Sequence, residues 1–111
     1  MMPHYPIFTT PNQVIEFIVD CLEQNDPARL YAAFTHEPSD FWKDHLFQGL
    51  RQIQEAETLQ RVYLEDGRIT TFPEQETHLH LGGHGPRTHY IHIDLEKGQG
   101  GWVLKSILVC R

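Results

Sequence analysis

The first half of the chain carries apolar residues at helical spacing. Thr10, Pro11 and Gln13 mark a helix start, because Thr10 can cap the helix, Pro11 suits its first turn and Gln13 completes a capping box. One apolar stripe follows, made of Val14, Phe17, Ile18, Cys21 and Leu22. The spacing predicts an amphipathic helix that ends near Asn25.

Two further helices are predicted downstream. Asp26 and Pro27 supply a cap and a first position for the second helix, whose short apolar face consists of Leu30, Tyr31, Ala33 and Phe34. Ser39 or Asp40 caps a third helix that runs to about Glu57. One side of this helix is lined by Trp42, Leu46, Leu50 and Ile53. We expect these faces to be buried against a sheet.

After residue 58 the pattern changes to strand-like alternation. Strands are predicted at 59–65, at 69–72 as an extension or a fold-back, at 76–82 and at 88–95. A last strand, 102–110, is apolar nearly throughout, which indicates a strand that is central or covered on both faces. The order of elements predicts an α+β fold, with three N-terminal helices on one face of a curved antiparallel sheet of about four strands.

Composition limits the classes of protein that fit. At 111 residues, with 40% hydrophobic residues, the chain is long enough for one packed domain, which we place at 10–111 behind an N-terminal arm, 1–9. The formal charge of −6 and the lack of any Lys or Arg cluster make nucleic acid and anionic membranes poor partners. No signal peptide or membrane span is apparent, so a cytoplasmic location is expected.

The two cysteines, Cys21 and Cys110, both stand among apolar residues. Free cysteine is among the most buried residue types, and structural disulfides are rare in the cytoplasm. Both are therefore expected to be buried, reduced thiols.

Several segments resemble a known superfamily. The helix opening at 11–17, the Asn25-Asp26 corner, the Ala32-Ala33-Phe34 segment and the ending at 100–107, which contains Gly-Trp, are similar to cystatin-like domains of the nuclear transport factor and ketosteroid isomerase superfamily. The resemblance implies a cone-shaped domain with a pocket between helices and sheet. Its members include isomerases, dehydratases and binding accessories, so this fold does not select a function.

The predicted hairpin between 76 and 95 is rich in histidine. If the turn comprises residues 82–87, pairing is expected between His78 and His92, His80 and Tyr90, Glu76 and Asp94, and Leu79 and Ile91. The three imidazoles of His78, His80 and His92 could then bind Zn²⁺, Ni²⁺ or Cu²⁺, with Asp94 or Glu76 as an oxygen ligand. We favour a polar sheet face in solvent or at a homodimer interface, and we predict no metal and no cofactor.

The sheet face expected to point at the helices offers little acid–base chemistry. It consists of Thr77, Leu79, Leu81, Ile91, Ile93 and Leu95, none of which is a base. His89, which alternation places on the same face, is the one exception. Helix-borne candidates are Tyr31, His36 and His45. We predict no catalytic residue and a pocket lined by Tyr31, Phe34, His36, Trp42, Leu79, His89, Ile91 and Trp102.

Two classes of function follow. The favoured interpretation is a non-catalytic domain that forms a homodimer through the sheet and holds a small apolar ligand in the pocket. The alternative is a small isomerase or dehydratase that uses a pocket histidine with a tyrosine. The metal-binding hairpin is a third interpretation.

Overall fold

A computed structural model describes the backbone at residues 5–56, 68–71, 76–82, 90–98 and 100–110. It describes side chains at 5–10, 12–55, 91–98 and 100–109. The elements are α1 (Pro11–Glu23), α2 (Pro27–Ala32), α3 (Asp40–Ala56), β1 (Arg68–Thr71), β2 (Glu76–Gly82), β3 (Tyr90–Gly98) and β4 (Gly101–Cys110). The predicted α+β order of three helices followed by an antiparallel sheet is confirmed. The strand predicted at 59–65 lies outside the described residues.

The capping residues act largely as predicted. Thr10 Oγ1 accepts a hydrogen bond from the Gln13 backbone N–H at 3.3 Å. The reciprocal bond differs, because Gln13 Oε1 accepts from the N–H of Thr9 at 2.8 Å rather than from the N–H of Thr10. Asp26 Oδ1 accepts from the Arg29 N–H at 3.0 Å and begins α2. The Ser39 carbonyl accepts the first backbone hydrogen bonds of α3.

The corner between α1 and α2 depends on Asn25. This residue has a φ of 52°, a conformation that asparagine tolerates better than most residues. The Asn25 N–H donates to Leu22 O at 3.1 Å and the Asp26 N–H donates to Cys21 O at 2.9 Å, the two hydrogen bonds of a Schellman motif. Arg51 Nη2 donates to Asn25 Oδ1 at 2.7 Å, so the corner is also fixed to α3.

The described strands pair antiparallel in the order β1-β2-β3-β4. In the β2–β3 pair, His78 lies opposite Asp94, Leu79 opposite Ile93, and His80 opposite His92. The predicted register of this hairpin is therefore wrong by two residues: His78 does not face His92, nor His80 Tyr90, nor Glu76 Asp94, nor Leu79 Ile91. Alternation fixes which face a residue occupies, but a slip of two residues leaves that face unchanged.

A bulge interrupts the alternation of β4. Leu95 pairs with Leu104 while Asp94 pairs with Ser106, so Lys105 is an extra residue on β4. Leu104 and Ile107 are consequently both buried, although they are three residues apart. A strand that switches parity in this way looks continuously apolar in sequence.

The prediction that the last strand is central or covered on both faces is wrong. Leu108 is 60% exposed, and β4 stands at the end of the described strand order. Its outer edge is partly covered by two other segments. Phe8 and Trp102 exchange backbone hydrogen bonds at 2.7 and 2.8 Å, and the N–H groups of Thr35 and His36 donate to Leu104 O and Lys105 O at 2.9 and 3.0 Å.

The core lies between the helices and the β3–β4 part of the sheet. Ile91, Ile93 and Leu95 are buried, which confirms the predicted helix-facing parity of β3. The stripe of α3 is buried at Leu46, Leu50 and Ile53 as predicted, and Phe47 joins them. Trp42 was placed on the same stripe, but its residue surface is 59% exposed because the stripe at that point faces an open groove.

No helix in the described part of the chain has the length and apolarity that crossing a bilayer requires.

The buried thiol of Cys21 gives a direct test of the core. Burial raises its pKa to about 11, and the Arg29 guanidinium only partly opposes this effect. The thiolate is the reactive form of cysteine. In a variant whose other thiol is removed by Cys110→Ser, we expect Cys21 to react with iodoacetamide at pH 8 only as fast as the protein unfolds. Mass spectrometry of native and urea-unfolded samples measures this. Equal rates in the two samples would contradict the burial of Cys21.

Candidate functional site

A groove of about 610 Å³ lies between α3 and β4. Its helix side is formed by Trp42, His45, Leu46, Gln48, Gly49 and Gln52. Ile107, Leu108 and Val109 form the strand side, and Pro38 completes the lining. The groove therefore lies between the helical layer and β4, the last strand in the described order of the sheet.

Gly49 sets the approach of α3 to β4. A Cβ atom at this position would stand 3.3 Å from Val109 Cγ1, closer than most Cβ contacts. A glycine inside a helix costs about 1 kcal/mol relative to alanine, so its presence here is consistent with a packing role. The helix and the strand thus meet closely at Gly49, within the lining of the groove.

An aromatic cluster stands beside the groove at the start of α3. The ring centroids of Phe41 and Trp42 are 5.0 Å apart, and His45 lies 5.8 Å from Phe41 and 5.9 Å from Trp42. Trp42 and His45 line the groove, whereas Phe41 is 69% exposed and does not line it. Exposed aromatic residues grouped in this way are typical of a recognition surface.

The chemistry of the lining is mainly apolar. Trp42, Leu46 and the three residues of β4 present apolar surface, and the polar side chains His45, Gln48 and Gln52 all belong to α3. Such a lining suits a mostly apolar molecule that has one or two hydrogen-bonding groups on the helix side.

The predicted pocket residues are dispersed by the fold. Trp42 lines the groove. Tyr31, Phe34 and Ile91 are buried in the core, Trp102 is half-buried against it, and His36 is exposed at the edge of β4. The side chain of Leu79 and the whole of His89 lie outside the described parts.

The side chain of Tyr31 links α2 to α3. Its hydroxyl donates to the backbone carbonyl of Lys43, and the Lys43 ammonium lies 5.7 Å from the centre of the ring. Burial raises the pKa of the phenol to about 12. The phenol is therefore protonated and already hydrogen-bonded at neutral pH.

His36 belongs to a separate polar cluster. Its Nδ1 lies 3.0 Å from Thr35 Oγ1 and 3.3 Å from Glu96 Oε1, and Thr35 Oγ1 donates to Glu96 Oε1 at 2.6 Å. None of the three residues lines the groove. Tyr31 and His36 thus have different partners, and the structure does not bring them together as an acid–base pair.

Several lining residues were not identified from the sequence: Gln48, Gly49, Gln52, Ile107, Leu108 and Val109. Gly49 gave the one available signal, because a glycine inside a predicted helix, next to Leu50 of its apolar stripe, indicates a close contact. The strand residues gave none, since the bulge at Lys105 hides which of them face the helices.

Metal ligands do not gather in the part of the chain whose side chains are described: no three His, Cys, Asp or Glu side chains there could hold an ion together. Of the three histidines considered as ligands, His92 lies in this part, whereas the side chains of His78 and His80 do not.

No family of protein domains matches this chain, and no curated protein or solved structure was found to be similar to it. The likeness to the nuclear transport factor and ketosteroid isomerase superfamily therefore rests on the sequence motifs alone.

Proposed function

We propose that this chain is a non-catalytic binding domain that holds a small, mostly apolar molecule in the groove between α3 and β4. The main support for the proposal is the groove itself, which has a volume of about 610 Å³ and a lining that includes Trp42, Leu46 and Ile107. Ligand pockets generally have volumes of ~300–1,000 Å³, with apolar walls and a few polar groups. The groove agrees with that description in size and in chemistry.

The finer features of the proposal come from the sequence. A curved, cone-shaped sheet of about four strands and membership of the nuclear transport factor and ketosteroid isomerase superfamily are supported by the order of the elements and by the motifs quoted above. A homodimer through the sheet and a cytoplasmic location are parts of the same proposal. Sedimentation of the protein without a tag tests the dimer.

Trp42 and Phe41 provide a matched pair of variants for testing the groove. The probe is N-phenyl-1-naphthylamine, a neutral apolar fluorophore. Trp42→Ala removes one aromatic side chain from the wall of the groove, so the affinity for the probe should fall at least about tenfold. The reason is that a buried aromatic contact contributes on the order of 1.4 kcal/mol or more. Phe41→Ala removes a neighbouring, more exposed aromatic ring that does not line the groove, and the affinity should change less than about twofold. Fluorescence titration measures both.

Two outcomes of this titration count against the proposal. One is the absence of saturable binding to the unaltered protein. The other is an equal loss of affinity in Trp42→Ala and Phe41→Ala, which would place the fluorophore on the exposed aromatic cluster rather than in the groove.

One observation favours the enzymatic alternative. His45 lines the groove, so an isomerase or dehydratase of this kind would use its imidazole as the base. Tyrosine is absent from the lining among the described residues.

A further inference from the structure

The described lining of the α3–β4 groove contains no Lys, Arg, Asp or Glu side chain. The two cationic residues of α3 have partners elsewhere. The Lys43 ammonium lies 2.9 Å from Glu37 Oε1 and 3.2 Å from Asp40 Oδ1. Arg51 Nη2 donates a hydrogen bond to Asn25 Oδ1 at 2.7 Å. A charged ligand would therefore lose part of its hydration on entering the groove without gaining an ionic partner there.

Two side-chain amides belong to the helix side of the groove. Gln48 and Gln52 are four residues apart, so their Cβ atoms lie about 6 Å apart on one face of α3. Both residues are exposed, and neither side chain makes a hydrogen bond to another described residue. Each amide offers an N–H₂ group that donates and a carbonyl oxygen that accepts. A carboxamide on a ligand has the same two functions and can pair with either glutamine.

An aromatic surface lies nearer the start of α3. Trp42 precedes Gln48 by six residues, which is about 9 Å along the helix axis. Trp42 is mostly exposed, and its ring centroid lies 5.9 Å from that of His45. The strand side of the groove is formed by the three apolar residues of β4. A flat ring can therefore stack on the indole while its other face contacts aliphatic side chains.

We propose that the groove selects neutral aromatic carboxamides. The planar ring of the ligand lies against Trp42 and His45, and its carboxamide pairs with Gln48 or Gln52. This inference rests on the proposed binding function of the groove and adds the chemical class of the ligand. Charge and hydrogen bonding separate this class from the corresponding carboxylates and amines, since the ring is the same in all three.

Three probes with one common naphthalene ring test the preference for a neutral ligand. At pH 8, 2-naphthamide is neutral, 2-naphthoate is an anion and 2-naphthylmethylamine is a cation, and an imidazole in water is uncharged. We expect the full chain to bind 2-naphthamide at least about tenfold more tightly than either ion, because each ion loses hydration without gaining a partner. NMR titration followed at the Trp42 indole measures the three affinities.

A double variant, Gln48→Met with Gln52→Met, tests the role of the two amides. Methionine is similar to glutamine in length and helix propensity, so the wall of the groove keeps its shape. The affinity for 2-naphthamide should fall about tenfold, since its carboxamide loses a partner, whereas that for N-phenyl-1-naphthylamine should stay within about twofold. Gln54→Met, in the same helix but outside the lining, is the matched control and should leave both affinities within about twofold.

The outcomes separate this inference from the proposed function. Saturable binding of N-phenyl-1-naphthylamine without a preference for 2-naphthamide overturns the inference and leaves the groove as a binding site. An equal loss of both affinities in the double variant also overturns it, because the glutamines would then act through the shape of the groove. No saturable binding of any probe overturns both. Circular dichroism shows whether the double variant is folded, and the two single variants replace it if it is not.

Discussion

Leu104→Ala should lower the free energy of unfolding by about 3 kcal/mol. Leu104 is fully buried in β4, where it pairs with Leu95 and packs into the cluster formed by helices and sheet. Truncating a buried leucine loses its burial energy and leaves a cavity, at a cost of roughly 2–5 kcal/mol. Since small domains are stable by only about 5–15 kcal/mol, this one change removes a large part of the total.

Leu108→Ala is the control for this prediction. Leu108 belongs to the same strand and loses the same atoms, but it is 60% exposed, so the free energy of unfolding should change by no more than about 0.5 kcal/mol. Urea unfolding of both variants measures the difference, provided that the slope with denaturant stays constant. Similar losses in the two variants would show that the parity assigned to β4 around its bulge is incorrect.

Gly101→Ala is expected to have the second-largest effect on stability. A Cβ atom here would stand 2.7 Å from both Ile7 Cγ2 and the Phe8 carbonyl oxygen, closer than atoms approach without displacement. The backbone at Phe8 must then move away from β4, which breaks its paired hydrogen bonds with Trp102 and withdraws a buried phenyl ring from the core. We expect a loss of about 2–3 kcal/mol in the free energy of unfolding.

Gly98→Ala tests whether that loss arises from the backbone of the Phe8 segment. The Cβ atom at residue 98 would meet Val103 Cγ1 at 3.1 Å, and a side-chain methyl group yields more easily than a carbonyl. Its effect should be less than half that of Gly101→Ala. Amide exchange at Trp102 should accelerate in Gly101→Ala only. A neutral Gly101→Ala, or a more damaging Gly98→Ala, would contradict the role assigned to this contact.

The helices were predictable because their signals are local. Thr10, Asp26 and the proline after each of them specify where α1 and α2 begin, and these signals depend on hydrogen bonds within one turn. The helix-facing side of β3 was also predictable, since alternation alone assigns Ile91, Ile93 and Leu95 to one face.

Features that depend on pairing between strands were not predictable in the same way. A shift of two residues between β2 and β3 leaves every residue on the same face of the sheet, so alternation does not distinguish the assumed register from the one in the structure. The bulge at Lys105 likewise leaves no local signal, although it decides which residues of β4 face the helices.

The groove was only partly predictable for a related reason. Trp42 was identified as a pocket residue from its type and position, but its partners Ile107 and Val109 enter the lining through the packing of α3 on β4. That packing depends on the close approach at Gly49, which is a tertiary contact.

NMR mapping shows directly whether the α3–β4 groove is a ligand-binding site. ¹⁵N- and ¹³C-methyl-labelled protein is titrated with N-phenyl-1-naphthylamine while backbone, methyl and indole signals are followed. We expect saturable shifts concentrated at Trp42, Leu46, Ile107 and Val109, with little change at core methyl groups such as those of Ile15 and Leu30. Saturable shifts centred elsewhere, or no shifts at the groove, would show that the groove does not bind the ligand.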